Sequence, residues 1–232
     1  MKYLIIFMCL AMTACAKNEK VVDTSLQPVD IEVGGLKFSN GLNLTPNTVS
    51  QVGDTINIMA DAHTDLFCDP KGMATNTTAP VLFTEIDNTK PFTFTVKVAP
   101  KFTKNGTYSA GALLAFIDKN HWQKLCYEQD EEGKYRIVTV RTEEFSDDNN
   151  HEAVDSISVY LRMSSDTEVI GNYYSENGKD WHLVRIYKNI YPDTLTLGLS
   201  SQSPKDDRHE CTFSDIGYKP KAVSDFRVGS LE

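Results

Sequence analysis

The chain has 232 residues, of which 23 are Lys or Arg and 32 are Asp or Glu, for a formal net charge of -9 at pH 7. That balance argues against a nucleic-acid partner, since affinity there comes from basic side chains that neutralise phosphates. Five cysteines without a Cys-x-x-Cys spacing argue against a structural zinc site, and no motif calls for a cofactor.

The first element is a leader. MKYLIIFMCLAMTACAK sets Lys2 before an apolar run from Tyr3 to Met12, and small residues then lead into Cys15. The run is too short to span a bilayer as a helix and has the layout of an export signal. Its end resembles a bacterial lipobox, which implies that residues 1–14 are removed and that Cys15 carries a lipid anchor. On that reading the anchor is the chain's one attachment to membrane, and Ala16 in place of an aspartate implies sorting to the outer membrane. Loss of Lys2 takes 23 basic residues to 22 against 32 acidic, a net charge of -10.

Residues 15–30 read as the lipidated cysteine and a flexible tether, because Ala16–Pro28 (AKNEKVVDTSLQP) is polar and lacks periodicity. Residues 31–232 then form one domain, a length that single all-β domains reach. Its three cysteines, Cys68, Cys126 and Cys211, allow at most one disulfide.

Within the domain, Met59–Val81 is irregular and is expected to be a strand followed by a loop crossing one end. It holds His63, Asp65, Cys68 and Asp69, which suit metal ligands or, the reading adopted here, two turn caps beside a buried cysteine. From Phe92 to Val98 apolar and polar residues alternate, as in a half-buried antiparallel strand. Asn105-Gly106 predicts a hairpin, and Asp118–His121 a corner between Ala110–Ile117 and the stretch WQKLCYE (122–128). Strand parity puts Trp122, Lys124 and Glu128 on one face and Leu125 and Tyr127 on the other. After a turn at Glu132-Gly133, Arg136–Thr142 is expected to turn Val138 and Val140 inward and to expose Thr139 and Arg141.

Thr142–Asp155 (TEEFSDDNNHEAVD) carries six acidic residues and reads as a solvated loop, with Asp147, Asp148 and Asn149 the natural oxygen ligands if calcium bound there. Alternation returns at Ser156–Met163, with Ile157, Val159, Leu161 and Met163 inward and Tyr160 and Arg162 outward. Tyr173, Tyr174 and Trp181 flank a hairpin at Asn177-Gly178, and Trp181 reads as structural. Thr194–Ser200 repeats the pattern with Leu195, Leu197 and Leu199 inward. Many strands without covering helices predict an all-β fold, a two-sheet antiparallel β-sandwich or jelly roll.

Several pieces appear in a recurring order: His63–Phe67, Phe92–Val98, Tyr108–Leu114, Asp118 with Trp122-Gln-Lys124 and Glu128, Arg141 before Ser146–Asp148, Tyr174–Gly178 with Trp181 and Arg185, and Gly198 before Ser203-Pro204. That order resembles the concanavalin A-like lectin/glucanase superfamily, in its uncharacterised regulation of enolase protein-like branch. The resemblance implies a curved sandwich whose relatives often bind or cleave carbohydrate on the concave face. Glucanases of that superfamily place three acidic residues at alternate positions of one strand; here Glu85 and Asp87 are followed by Thr89, so no catalytic role is expected of them.

An aromatic ring beside fixed donors and acceptors suits a sugar, whose C–H face stacks while its hydroxyls bond. The candidate ligand-binding residues are therefore Trp122, Lys124, Glu128, Arg141, Asp147, Asp148, Tyr160 and Arg162, with an oligo- or polysaccharide as partner. The same pattern also serves as a cross-strand ion-pair network. A glycan-active hydrolase or lyase, and a surface lipoprotein that binds another protein, are the competing functions.

Overall fold

The computed structural model describes residues 26–231; the leader, Cys15 and most of the expected tether lie outside the described residues. Seventeen strands follow in chain order. The first eight are β1 (Leu26–Val33), β2 (Leu36–Leu42), β3 (Val49–Val52), β4 (Thr55–Ala60), β5 (Leu66–Cys68), β6 (Thr75–Thr77), β7 (Val81–Asp87) and β8 (Phe92–Pro100). The next five are β9 (Ala110–Asp118), β10 (His121–Gln129), β11 (Tyr135–Glu143), β12 (Phe145–Ala153) and β13 (Val159–Ser165). The last four are β14 (Val169–Ser175), β15 (His182–Lys188), β16 (Thr194–Gln202) and β17 (His209–Lys219).

They build a two-sheet antiparallel sandwich. One sheet has eight strands in the order β1-β2-β7-β16-β9-β10-β11-β12, and the other seven in the order β15-β14-β13-β8-β17-β4-β3. The alternating segments point their apolar sides at each other: Phe92, Phe94, Val96 and Val98 from one sheet meet Leu195, Leu197, Leu199, Leu125 and Tyr127 from the other in one core. Gly133 and Gly178 take φ of 77° and 73°, as the hairpins β10–β11 and β14–β15 require.

The eight-stranded sheet is buried on its outer face too. β5 and β6 form a small hairpin that lies against that face, and Leu66 and Ala79 cover Trp122, Cys126, Val138, Val140 and Leu114 in a second apolar cluster. Segment 59–81 therefore folds over a sheet face and does not cross an end. The near-continuous apolar run Ala110–Ala115 in β9 reflects these two covers, all six residues being buried.

Four other expectations change. Residues 26–30 belong to β1, an edge strand paired to β2, and Val29 packs on the core despite the polar sequence around it. Asn105-Gly106 joins β8 and β9, which lie in different sheets, so it is a crossover and not a hairpin. Phe145–Ala153 forms an edge strand, β12, whose acidic and amide residues guard an open edge against further pairing. Ile157 is 85% exposed, because β13 begins only at Val159.

At Gly111 of β9 the two sheets approach closely: a Cβ there would sit 2.2 Å from Cys211 Sγ and 2.5 Å from Val98 Cγ1 of the opposite sheet. Gly111→Ala should cost about 1–3 kcal/mol in urea unfolding, the usual cost of overpacking. Gly217→Ala, whose Cβ meets nothing within 4 Å, should change stability by only a few tenths of that.

Candidate functional site

The site lies on the outer face of the eight-stranded sheet, beside the β5–β6 flap. Antiparallel register places Lys124 opposite Val140, Cys126 opposite Val138 and Glu128 opposite Arg136, so these residues share a face. On the neighbouring strand Asp148 pairs with Val140. The flap closes one side, and the result is a pocket of about 590 Å³. Its floor is Lys124, Glu128, Val138 and Val140; its walls bring Asp65, Phe67 and Asn76 from the flap, Asp148 and Asn150 from the edge strand, and Gln202 from β16.

Lys124 is 2% exposed. Its ammonium donates to the Leu66 carbonyl at 2.7 Å and to Gln202 Oε1 at 2.8 Å, and Asp65 lies 3.7 Å away. Burial works against the charge, but the surrounding carboxylates, Asp65 foremost among them, outweigh it and hold the ammonium above its usual pKa. Asp65 in turn is fixed by the Leu66 N–H at 2.8 Å. Further ties hold the flap down: Cys68 N–H donates to Ser146 Oγ at 2.9 Å, and Thr64 bridges Ser203.

Glu128 is 9% exposed, and among the described residues its carboxyl group accepts a hydrogen bond only from Gln202 Nε2, at 3.4 Å. Burial pushes its pKa up to about 8; the Lys124 ammonium opposes the rise, and Asp65, Asp148 and Glu131 add to it. Burial also raises Asp148, against the pull of Lys124. Tyr108 reaches the rim with a φ of 65°, a costly conformation for a bulky residue. It is held there by its N–H on the Gln129 carbonyl and by Gln202 Nε2 on its own carbonyl.

Of the eight residues singled out from the sequence, this pocket brings together Lys124, Glu128 and Asp148. Trp122 shares their face but is 1% exposed under the flap, with Nε1 donating to the Lys119 carbonyl at 3.2 Å, so it offers no open platform. Arg141 points to the opposite face, since its register partner is Gln123 and not Lys124; it lies over the Tyr187 ring and bonds Glu143. Asp147, opposite Arg141, is 3.8 Å from Arg185. Tyr160 and Arg162 are in the other sheet: Tyr160 donates to Asp215 at 2.9 Å, and Arg162 stacks 3.5 Å from the Trp181 ring and bonds Thr95 and the Gly229 carbonyl.

Asp65, Phe67, Asn76 and Gln202 were missed as pocket residues. Their signal was the apolar Leu66 and buried Cys68 set inside an otherwise polar segment, which marks a cover and not a free loop. Asp65 and Asp69 do cap their turns, on the N–H groups of Leu66 and Lys71. Cys68, Cys126 and Cys211 are all buried free thiols. Asp87 pairs with Lys90 and Thr89 at the end of β7, away from the pocket.

The family model described as "Protein of unknown function (DUF1349)" matches residues 43–221. No curated protein matches the chain. Among solved structures, a functionally unknown protein from Saccharomyces cerevisiae superposes with a TM-score of 0.69 at 23% identity, covering 78% of this chain and 95% of that one. The GH43 protein BlXynB from Bacillus licheniformis gives 0.61 at 14% identity over 85% of this chain, which spans only 39% of that protein. The carbohydrate binding module CBM66 from Bacillus subtilis gives 0.50 at 10% identity, over 74% of this chain and 91% of that one. At these identities the likeness establishes the jelly-roll sandwich and nothing finer.

Glu128 ties stability to pH. With a folded pKa near 8 against an ordinary 4.5, the folded protein holds a proton that the unfolded chain releases between these values. Stability from this group is therefore full below pH 4.5 and falls by up to about 1.4 kcal/mol per pH unit as pH rises toward 8. Glu128→Gln should flatten that fall in denaturant titrations at pH 5, 6.5 and 8, and should be more stable than the parent at pH 8; an unchanged slope would remove the buried carboxyl from the account.

Proposed function

From the premise that this chain belongs to the family of unknown function DUF1349, we propose that it is an envelope lipoprotein whose sandwich domain binds carbohydrate in the pocket over β10 and β11. The observation that carries the reading is the pocket itself. A cleft of about 590 Å³ combines the apolar Val138 and Val140 of its floor, the aromatic side chains Phe67 and Tyr108, and fixed amide and carboxyl groups, the mixture that a sugar's C–H faces and hydroxyls need. Sandwich neighbours that include a carbohydrate binding module support it.

The aromatic contact moves from Trp122 to Phe67, which stands half-buried at the flap's edge. A second reading, glycan cleavage, draws on Glu128, protonated near neutral pH as a general acid must be. Titration against a panel of plant and host polysaccharides should find a bound glycan, and Phe67→Ala should weaken it about tenfold with little change in Tm. Release of reducing ends from the retained glycan would move the reading to a hydrolase. A panel without any binder would sink both and leave a protein-binding role.

Anchoring rests on the lipobox-like run before Cys15. Cys15→Ser should shift the protein from the detergent phase to the aqueous phase in a phase-partition assay. A mutant that still partitions with detergent after leader cleavage would overturn the lipoprotein reading.

A further inference from the structure

The pocket holds more carboxyl than cation, and its one buried cation is already committed. Lys124 has three N–H donors, and the Leu66 carbonyl, Gln202 and Asp65 surround them. Asp130 is answered as well, by Arg136 at 2.9 and 3.1 Å and by the N–H groups of Glu132 and Lys134. Glu128, Asp148 and Glu131 line the cavity without an ion pair among the described residues, and Lys205 at the rim is the other lining cation. Glu128 is nine-tenths buried with a single 3.4 Å contact, from an amide that sits closer, at 2.8 Å, to the Tyr108 carbonyl.

We propose that the sugar this pocket takes carries a free ammonium, set against Glu128 and Asp148 with the ring lying on Phe67; the proposal rests on the carbohydrate reading above. An ammonium supplies the donors that these carboxyls lack, and charge-assisted bonds of that kind are stronger than those to a neutral hydroxyl. The aromatic faces of Phe67 and Tyr108 add attraction for a cation. A uronate or sulfated sugar would bring negative charge against the carboxyls of Asp148 and Glu131 and against a Glu128 that burial already keeps from ionising. An N-acetylated sugar fits the walls but leaves the charge unanswered.

The same contact moves a proton. Glu128 faces Lys124 on its own strand, Asp65 from the flap, Asp148 from the edge strand, Glu131 and Asp130 from the turn, and Lys205 beyond β16. In that company it is protonated at neutral pH in the empty pocket. Seating an ammonium favours the carboxylate, so the carboxylic acid and the ammonium form an ion pair and one proton passes to the buffer. Below neutral pH, where the free sugar is already an ammonium, its binding is therefore coupled to proton release, whereas binding of a neutral sugar is not.

Titration calorimetry of the full chain at pH 6, where the glycan amine is mostly charged and Glu128 still holds its proton, in two buffers of different ionisation enthalpy, tests this with three probes: a chitosan oligosaccharide, its fully N-acetylated counterpart and an oligogalacturonate. The deacetylated oligomer should bind at least tenfold more tightly than the acetylated one, with a net release of protons, and the uronate should not bind. Glu128→Gln, which keeps the shape of the pocket, should lose both the preference and the proton release. Equal affinity for the acetylated and deacetylated oligomers, or tight binding without proton release, overturns the ammonium proposal and leaves the glycan reading standing. Failure of every probe, together with every glycan of the wider panel, overturns both.

Discussion

One buried ammonium organises the outer face of this sandwich. Taking a lysine charge out of water costs several kcal/mol unless partners answer it, and Lys124 is answered from two separate segments: the flap through Leu66 and Asp65, and β16 through Gln202. The arrangement works in both directions. The flap supplies the carbonyl that makes the charge tolerable, and the charge holds the flap against the sheet. Because the flap is there, Trp122, Cys126, Val138 and Val140 form a dry second core where they would otherwise be an exposed apolar patch. The pocket is the space left where that cover stops.

The commitment of Lys124 sets the chemistry of what remains. A lysine with free donors would make this an anion site, but here the cation is spent on architecture and the open valence belongs to carboxyls. Burial pushes the Cys126 thiol up despite the adjacent ammonium, which keeps it an inert packing group. Glu128 meets the same burial with less compensation, since its polar contact is long and three acidic neighbours repel its charge. A carboxyl that retains its proton at neutral pH is thus a consequence of the fold closing over β10, and no sequence motif encodes it.

How much of this was legible in the sequence follows from what alternation can report. Period-two patterns in Phe92–Val98 and Leu195–Leu199 told inward from outward, and glycines 133 and 178 marked true hairpins, so the sandwich was readable. Alternation says which face a residue takes but not which sheet its strand joins, and so Tyr160 and Arg162 were grouped with a face that belongs to the other sheet. Arg141 failed for a related reason: with apolar clusters on both sides of the eight-stranded sheet, valine no longer identifies the inter-sheet side. Val138 and Val140 face the flap, and Arg141 takes the opposite side. Trp122 was placed on the correct face, but its cover comes from residues more than 40 positions away, a tertiary contact invisible to local pattern.

The two halves of the proposed function rest on different parts of the chain. Every residue lining the pocket, from Asp65 to Lys205, falls inside the stretch 43–221 that the family model covers, whereas Cys15 and β1 fall before it. The elements that hold the pocket, β5, β10, β12 and β16, lie within it as well. The proposed ligand chemistry thus belongs to the domain, and the proposed anchor to the segment before it. A chain with this domain and a different leader would keep the Lys124 tie, the protonated Glu128 and the pocket between them.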